Sequence, residues 1–388
     1  MNESQFKKIM MIVLFCIITF MYWFSLYTYV PIILPYSKHL GASNSLLGLI
    51  AGSYGFMQLI LRVPIGVYSD RKHNRKVIVG LGLLFSFLSG VGFYMVDTPY
   101  GVLIFRALSG VAASMWVGFT TLFASYFEKN TQYAMGLILA FNSLGQMSAT
   151  FAGGLLSQLL NEKWTFVIAT FVGFIGLILA LPISERNNAN NQNLNNLSII
   201  NLLSIGRNSK LLFVSLLALL LQYTTFSTVY GFTTMYAKEI GANNFELGLL
   251  TFFSTLPNVI SAILSSYFVK RIGEKKTIEL GFLIIAMSTL AIPLSKSIEF
   301  LFITQTIGGF GRGLIFPTLM SLSVKDIEQD KRATAMGYFQ SIYAIGMFVG
   351  PSITGIISQF FGLVIGFYIV FVICLISLWL TKMSDTIK

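Results

Sequence analysis

Charged residues are scarce in this 388-residue chain: only 11% are Asp, Glu, Lys or Arg, whereas a soluble domain carries about 25%. Hydrophobic residues make up 55% of the chain, and the mean hydropathy is +0.75. A soluble globule of this size could not bury so much apolar surface and keep a wettable exterior. The composition therefore predicts an integral membrane protein, with the aromatic residues supplying belts at the two interfaces.

Cysteine and histidine are almost absent, with two residues of each type. Cys16 and Cys374 lie in apolar runs at opposite ends of the chain, which excludes a disulfide framework. The sequence has no Cys/His ligand pair, no phosphate-binding glycine loop and no Ser/His/Asp constellation. It therefore predicts no metal site, no cofactor and no hydrolase or redox enzyme.

The formal net charge is +11, which in a soluble protein would favour nucleic acid as a partner. Here the Lys and Arg residues occur in short clusters between apolar segments, without a continuous basic face. Nucleic acid is therefore not a predicted partner. The expected partners are the lipid bilayer and a small-molecule substrate, and the chain is expected to act as a monomer.

Twelve apolar runs are long enough to cross a bilayer, which takes roughly 20 helical residues. Nineteen cations fall on one side of these runs and only four on the other, namely Lys38, Lys163, Lys238 and Lys296. The positive-inside rule then places both termini in the cytoplasm of a multi-pass protein of the cell membrane. The predicted spans are 10–35, 45–68, 77–96, 100–127, 133–160, 164–183, 210–237, 245–268, 277–295, 299–323, 333–360 and 363–381.

The two halves of the chain repeat each other at an offset of about 200 residues. YSKHLGASNSLLGL (36–49) aligns without a gap with YAKEIGANNFELGL (236–249). AMGLILAFNSLG (134–145) aligns in the same way with AMGYFQSIYAIG (335–346). Each half therefore has the same order of helices and the same orientation in the membrane.

A polar, Asn-rich stretch at 184–209 separates the halves and predicts a cytoplasmic linker. The predicted fold is therefore all-α and integral to the membrane, with six helices in 1–183 and six in 210–388. Two such bundles in the same orientation form a parallel repeat about an axis along the membrane normal.

GVYSDRKHNRK (66–76) resembles the loop between the second and third helices of the major facilitator superfamily of secondary transporters. That pattern reads Gly-x-x-x-Asp-Arg-x-Gly-Arg-Lys, and His73 stands here at its second glycine. RALSG (106–110) resembles the family's Arg-x-x-x-Gly pattern in the fourth helix. GQMSATFAGG (145–154) resembles, in degenerate form, a drug-exporter motif of the fifth helix. The resemblance covers nearly the whole chain and implies alternating access between two six-helix bundles.

The resemblance also implies a cytoplasmic gate at this loop, with Gly66 allowing close helix approach. Asp70 would meet the amino end of the eleventh span when the inner side closes. Arg71, Arg75 and Lys76 would bridge the halves or bind lipid phosphates. The alternative is a loop whose cations only hold it inside, but an acid adds nothing to that bias, so the gate is favoured. Arg62, eight residues before the aspartate, is assigned to the same gate as a structural part.

Two further arginines within spans are assigned to the substrate site. A cation at mid-bilayer costs about 2.5–3.5 kcal/mol on insertion scales and normally faces a cavity or a partner. Arg312 lies near the middle of the tenth span, and Arg106 lies nearer the outer third of the fourth. For Arg312 the alternative is bonding to carbonyls freed by the glycines of GGFGRG. For Arg106 structural and coupling roles stay open.

The resemblance implies that the first, fourth, seventh and tenth spans line a central cavity. At a depth comparable to that of the tenth-span arginine, these spans carry aromatic and amide side chains that complete the predicted substrate set. The set comprises Tyr22, Trp23, Tyr27, Trp116, Gln222, Tyr223 and Phe226.

The expected function is secondary active transport, an antiporter driven by a proton or other ion gradient, because no nucleotide-binding motif occurs. No Asp or Glu falls in the central part of any span, which argues against a pump for many cationic drugs. The glycine-rich fifth span argues for efflux. Export of a neutral or anionic amphiphile is therefore the first hypothesis.

Three alternatives remain open. One is uptake of an anionic metabolite held by Arg312 and Arg106. Another is a lipid flippase or a membrane scaffold, which a lateral groove lined with apolar and basic residues would favour. A channel fits least well, because two bundles joined by a linker suit rocking about a central site.

Overall fold

The computed structural model describes residues 3–72, 74–127, 131–184, 208–327, 332–384 and 386–387. Within these ranges the side chains of 3–7, 67, 70–72, 131–133 and 332–334 are not described. Nearly all of the described residues are helical, and no strand occurs among them.

Twelve helical segments, three of them divided, make up the described part of the chain. Those of the first half are α1a (Glu3–Tyr27), α1b (Val30–His39), α2 (Asn44–Lys72), α3 (Arg75–Met95), α4a (Pro99–Ser114), α4b (Trp116–Ser125), α5 (Thr131–Leu159) and α6 (Lys163–Ala180). Those of the second half are α7a (Ser209–Ser227), a π-helical turn (Thr228–Phe232), α7b (Thr233–Glu239), α8 (Asn244–Ile272), α9 (Glu274–Ala291), α10 (Ile298–Lys325), α11 (Arg332–Phe361) and α12 (Leu363–Met383).

Eleven of these segments are long and apolar enough to cross a membrane. The other, α5, has ample length with 29 residues but carries polar side chains such as Asn142 and Gln146. The predicted all-α fold of twelve membrane helices in two bundles is confirmed. The predicted linker at 184–209 lies outside the described residues except at 184 and 208–209, so the domain boundaries stay predictions.

The first and seventh helices break at equivalent positions of the repeat. Pro31, near the start of α1b, has no N–H to continue the helical ladder. In the seventh helix Gly231 has φ −125° and ψ −116°, outside the helical region. Equivalent threonines bond the carbonyls one turn back, from Thr28 Oγ1 to Phe24 O (2.6 Å) and from Thr228 Oγ1 to Thr224 O (2.8 Å). These bonds matter because lipid offers no water to freed backbone groups.

The outer face is defined here as the end of the molecule that carries the turns 40–43 and 240–243, predicted to lie outside the cell. Gly41 and Gly241 adopt φ of 91° and 97° in these turns, a backbone region that favours glycine. The repeat seen in the sequence therefore extends to backbone conformation. The inner face is the opposite end, where α2 ends and α3 begins.

Candidate functional site

Aromatic rings from both bundles meet at the centre of the molecule. The rings of Tyr27 and Tyr230 lie 5.6 Å apart between centroids, and Tyr54 of α2 stacks on Phe226 of α7a at 6.1 Å. Trp23 contacts Tyr27 at 5.6 Å. Trp116 joins at 5.2 Å from the ring of Trp23. The central aromatic cluster is formed by these six side chains, Trp23, Tyr27, Tyr54, Trp116, Phe226 and Tyr230.

The cluster carries three tyrosine hydroxyls, two from the first bundle (Tyr27 and Tyr54) and one from the second (Tyr230). It therefore combines flat apolar faces with a few polar groups. Sites that bind small molecules have this character, with few polar groups set in apolar walls.

Arg106 of α4a lies against the cluster in the first bundle. Its guanidinium carbon is 4.4 Å from the ring centroid of Tyr54 and 5.9 Å from that of Tyr29. The side chain is only 3% exposed, and its Nε and Nη1 atoms have no hydrogen-bond partner among the described residues. The hydroxyl of Tyr29 likewise has no hydrogen-bond partner among the described residues. Contact with aromatic faces is therefore the main interaction of this cation with the protein.

Arg312 lies at the midpoint of α10, in the second bundle, as its position in the sequence predicts. Its Nη2 donates a hydrogen bond to Ser254 Oγ of α8. Arg312 thus links two helices of the second bundle, whereas Arg106 belongs to the first. The contact to a serine is not the bonding to freed carbonyls that the glycine-rich sequence offered as an alternative.

Arg62 of α2 connects the two bundles. Its Nη1 donates to the hydroxyl of Tyr343 of α11 at 2.6 Å, and its Nη2 donates to Gln58 Oε1 one turn back. The guanidinium carbon also lies 5.4 Å from the Tyr343 ring centroid. A link between the bundles is what a structural part of a gate requires, and the gate role itself stays a prediction.

We expect Tyr343→Phe to lower the melting temperature of the purified protein. The phenyl ring keeps the contact with Arg62, but the guanidinium loses its only described acceptor in the other bundle, a bond worth about 1.5–3 kcal/mol for a charged donor. Tyr338→Phe, on the same helix, is the matched control. Equal melting temperatures for the two variants would contradict a stabilising link.

The remaining predicted substrate residues, Tyr22, Tyr223 and Gln222, lie outside the central aromatic cluster. Tyr22 is fully buried, stacks on Phe119 at 4.4 Å and donates its hydroxyl to the carbonyl of Ala112, where α4a is about to end. The backbone of Tyr223 packs closely on Gly350 of α11. Gln222 is half-buried on α7a. The structure thus brings Trp23, Tyr27, Trp116 and Phe226 together, and places Tyr22 in a supporting position behind them.

Much of the predicted gate falls on residues whose side chains are not described. The side chains of Asp70 and Arg71 lie outside the described part of the chain, so their contacts stay predictions. Gly66 is half-buried, and an added Cβ there would meet only Val117, at 3.9 Å. Lys76 Nζ donates to the carbonyl of Leu181 at 2.8 Å, within the first bundle. Arg75 is the first residue of α3 and is half-buried.

Hydrogen bonds between two equivalent pairs of helices, α2 with α11 and α8 with α5, close the outer face. Asn44, at the start of α2, donates through its backbone N–H to Gln359 Oε1 (2.8 Å) and through Nδ2 to the Ser358 carbonyl (3.1 Å). Asn244, at the start of α8, makes the corresponding bonds to the end of α5. Its acceptors are Gln158 Oε1 at 3.1 Å and Ser157 Oγ at 2.7 Å.

Glycines let the same helix pairs approach closely below these bonds. A Cβ added to Gly154 of α5 would lie 2.7 Å from Gly248 Cα of α8. The equivalent pair is Gly48 of α2 and Gly355 of α11, where an added Cβ would come 3.0 Å from the facing Cα. Small residues permit such packing between membrane helices. The described contacts between bundles thus run from the outer face to Arg62, the arrangement of an outward-closed conformation.

Sequence reasoning missed four residues of this region: Tyr54, Tyr230, Ser254 and Tyr343. Tyr54 lies on the second helix, which the family resemblance did not place at the cavity. Tyr230 precedes Gly231, and a glycine in an apolar run was the one available signal of a break there. The two remaining residues are distant partners of arginines, and nothing in the local sequence marks them.

Comparisons with known proteins agree with the family resemblance found in the sequence. The model of the Major Facilitator Superfamily matches residues 15–237 and 215–386. The chain is 25% identical over 341 residues to the uncharacterized MFS-type transporter MJ1560 of Methanocaldococcus jannaschii, covering 86% of this chain and 87% of that protein. It is 24% identical over 341 residues to the multi-drug resistance efflux pump PmrA homolog of Lactococcus lactis, covering 85% and 84%.

Among solved structures, a variant of the nucleoside transporter NupG superposes with a TM-score of 0.82. The match covers 96% of this chain and 99% of that one, at 13% sequence identity. A likeness at such low identity shows the fold and carries nothing about substrate.

Proposed function

Because this chain belongs to the major facilitator superfamily, we propose that it is a secondary transporter that exports a small neutral or anionic amphiphile by alternating access. The central aromatic cluster carries the proposal. It lies between the two bundles, and Arg106 lies against it in the first bundle. In the present conformation the contacts at the outer face close it off from that side. A transporter that rocks about this cluster would expose it to each side of the membrane in turn.

The charge of the site supports this substrate class. The carboxylates that the structure describes lie at helix ends, for example Asp97, Glu239 and Glu299, so none is available beside the cluster. A cationic ligand would meet Arg106 and no opposite charge among the described residues. A neutral ligand can stack on the rings, and an anionic ligand gains a counter-charge as well.

Direction and energy coupling are proposed from a relative and from the sequence. The PmrA homolog is an efflux pump by name, and this favours export. A proton or other ion gradient is the proposed energy source, with antiport of the ion. Both termini are proposed to be cytoplasmic and the chain to act as a monomer, in line with the cation distribution of the sequence.

Transport in proteoliposomes tests the proposal. Neutral, anionic, zwitterionic and cationic aromatic dyes are loaded separately, and their movement is followed with and without an imposed pH gradient in vesicles of determined protein orientation. We expect gradient-dependent movement of neutral and anionic dyes out of the cytoplasmic side. Movement of the cationic dyes alone would contradict the proposal.

Uptake of an anionic metabolite is the second candidate, and the unpartnered nitrogens of Arg106 are the observation that favours it. Anion movement toward the cytoplasmic side in the same vesicles would support uptake over export.

A further inference from the structure

The three membrane-embedded arginines differ in how the protein satisfies them. Arg62 donates to Gln58 and Tyr343, and Arg312 donates to Ser254. Arg106 is the most buried of the three, and both its Nε and its Nη1 atoms lack a hydrogen-bond partner among the described residues, whereas Arg62 lacks one only at Nε. A buried donor left without a partner costs free energy, and more when it is charged. Arg106 is therefore the arginine for which a missing partner is indicated.

The missing partner should carry negative charge. A buried cation in a membrane protein normally faces a counter-charge or a water-filled cavity. No ion pair to Arg106 occurs among the described residues, and Asp97, the acid nearest to it in sequence, lies outside α4a, before its first residue. A guanidinium presents its donors as a planar fork that matches the two oxygens of a carboxylate.

The surroundings of Arg106 also select the rest of the ligand. The face of its guanidinium is covered by the ring of Tyr54 at 4.4 Å, so its edge is the part left for hydrogen bonding. Tyr54 in turn stacks on Phe226, another member of the central aromatic cluster. An anionic group on this arginine would hold the attached body of the ligand against those rings. A flat aromatic body fits best, because ring stacking adds stabilisation beyond its area burial.

We propose that Arg106 binds the carboxylate of an aromatic carboxylate substrate, with the aromatic ring of that substrate in the central aromatic cluster. This inference rests on the proposed transport function and names its substrate class. It also assigns anion binding to Arg106, and leaves Arg312 as the link between α10 and α8. The competing interpretation is an arginine stabilised by aromatic faces alone, with no role in anion binding.

Tryptophan fluorescence can report on this site. The chain has four tryptophans, and Trp23 and Trp116 belong to the cluster. Replacing the exposed Trp164 and Trp379 by phenylalanine leaves only these two reporters. The probes are 4-nitrobenzoate, whose nitroaromatic ring quenches indole fluorescence, and 4-nitrobenzamide, its neutral isostere. Purified protein in uncharged detergent is titrated with each.

We expect saturable quenching, with 4-nitrobenzoate binding about tenfold or more tightly than the amide. Arg106→Met should abolish this preference and leave amide binding in place. Arg106→Lys should reduce the preference, because an ammonium retains the charge without the bidentate fork. Arg271→Met, at an exposed arginine of the inner end of α8, is the matched control and should change nothing.

Several outcomes would overturn the inference. Equal affinities for the two probes in the unsubstituted chain would do so whether or not the Arg106 variants fold. Loss of the preference in Arg312→Lys but not in Arg106→Met would assign the anion to the other arginine. A preference that disappears in nanodiscs containing phosphatidylglycerol, but persists in phosphatidylcholine, would mean that an anionic lipid headgroup occupies the guanidinium.

The inference and the proposed function fail separately. Export of neutral dyes by vesicles whose protein shows no carboxylate preference would leave the transporter proposal standing and remove Arg106 from anion binding. Carboxylate binding without gradient-dependent movement of any dye would leave Arg106 as an anion-binding residue and remove the transporter proposal.

Discussion

Gly248→Val is expected to abolish transport by preventing closure of the outer face. A Cβ at this position would lie 2.6 Å from the Thr150 carbonyl oxygen and 2.8 Å from Gly154 Cα. Both are backbone atoms of a packed helix, so a rotamer change cannot relieve the clash. Overpacking costs about 1–3 kcal/mol, and each 1.4 kcal/mol changes the ratio of two conformations about tenfold. The clash exists only while α5 and α8 are in contact, so the open conformation should be favoured.

Cysteine labelling measures this shift. Cys16 and Cys374 are first replaced by alanine, and a reporter cysteine is placed at Ser352 of α11, which lies against Gly52 of α2. A membrane-impermeant maleimide added outside should react faster with the reporter in Gly248→Val than in the parent. Gly80→Val on α3 is the control, because an added Cβ there meets nothing within 4 Å. Equal labelling rates in all three proteins would show that the α5–α8 contact does not control outer closure.

Arg312→Lys is expected to lower the melting temperature markedly while leaving the affinity for 4-nitrobenzoate within about threefold of the parent value, less than the loss of one hydrogen bond to a charged group. Arg312 Nη2 donates to Ser254 Oγ across the α8–α10 contact. A lysine ammonium on its more flexible stem cannot reproduce this geometry. Both partners would then be buried with unsatisfied polar groups, at a cost of about 1–3 kcal/mol each.

Serine substitutions on α8 isolate the hydrogen bond between Arg312 and Ser254. Ser254→Ala removes only the acceptor, so it should reproduce most of the destabilisation, and the double variant should be less destabilised than the sum of the two. Ser265→Ala is the matched control, because the Ser265 hydroxyl bonds the Ala262 carbonyl of its own helix. Normal melting of Arg312→Lys combined with weakened probe binding would instead assign this arginine to the ligand.

Part of the candidate site was predictable from local sequence. The family resemblance named the spans that line the cavity, and depth within those spans selected Trp23, Tyr27, Trp116 and Phe226, which the structure brings into one cluster. Depth along a helix follows from the rise of about 1.5 Å per residue, so it can be counted. The direction in which a side chain points depends on helix rotation and on breaks. Tyr22 illustrates this, because its hydroxyl is directed to a backbone carbonyl of α4a.

The hydrogen-bond partners of Arg312 and Arg62 could not be predicted from the sequence. Ser254 is 58 positions from Arg312, and Tyr343 is 281 positions from Arg62. A serine or a tyrosine in an apolar run has no feature that marks it as the acceptor for a distant guanidinium. The cue from the glycines around Arg312 pointed to freed backbone carbonyls, whereas the described bond goes to a side chain.

The amino-acid sequence by itself determined that this protein lies in a membrane, that it has twelve helices and that its two halves repeat. These properties depend on local composition and periodicity, because each span must bury its own backbone hydrogen bonds in lipid. The tertiary structure alone decided which surfaces meet. Asn44 finds its partners 314 and 315 positions away, and Arg106 is left without one among the described residues. Such pairings depend on how whole helices rotate and approach one another, and these relations involve residues distant in the chain.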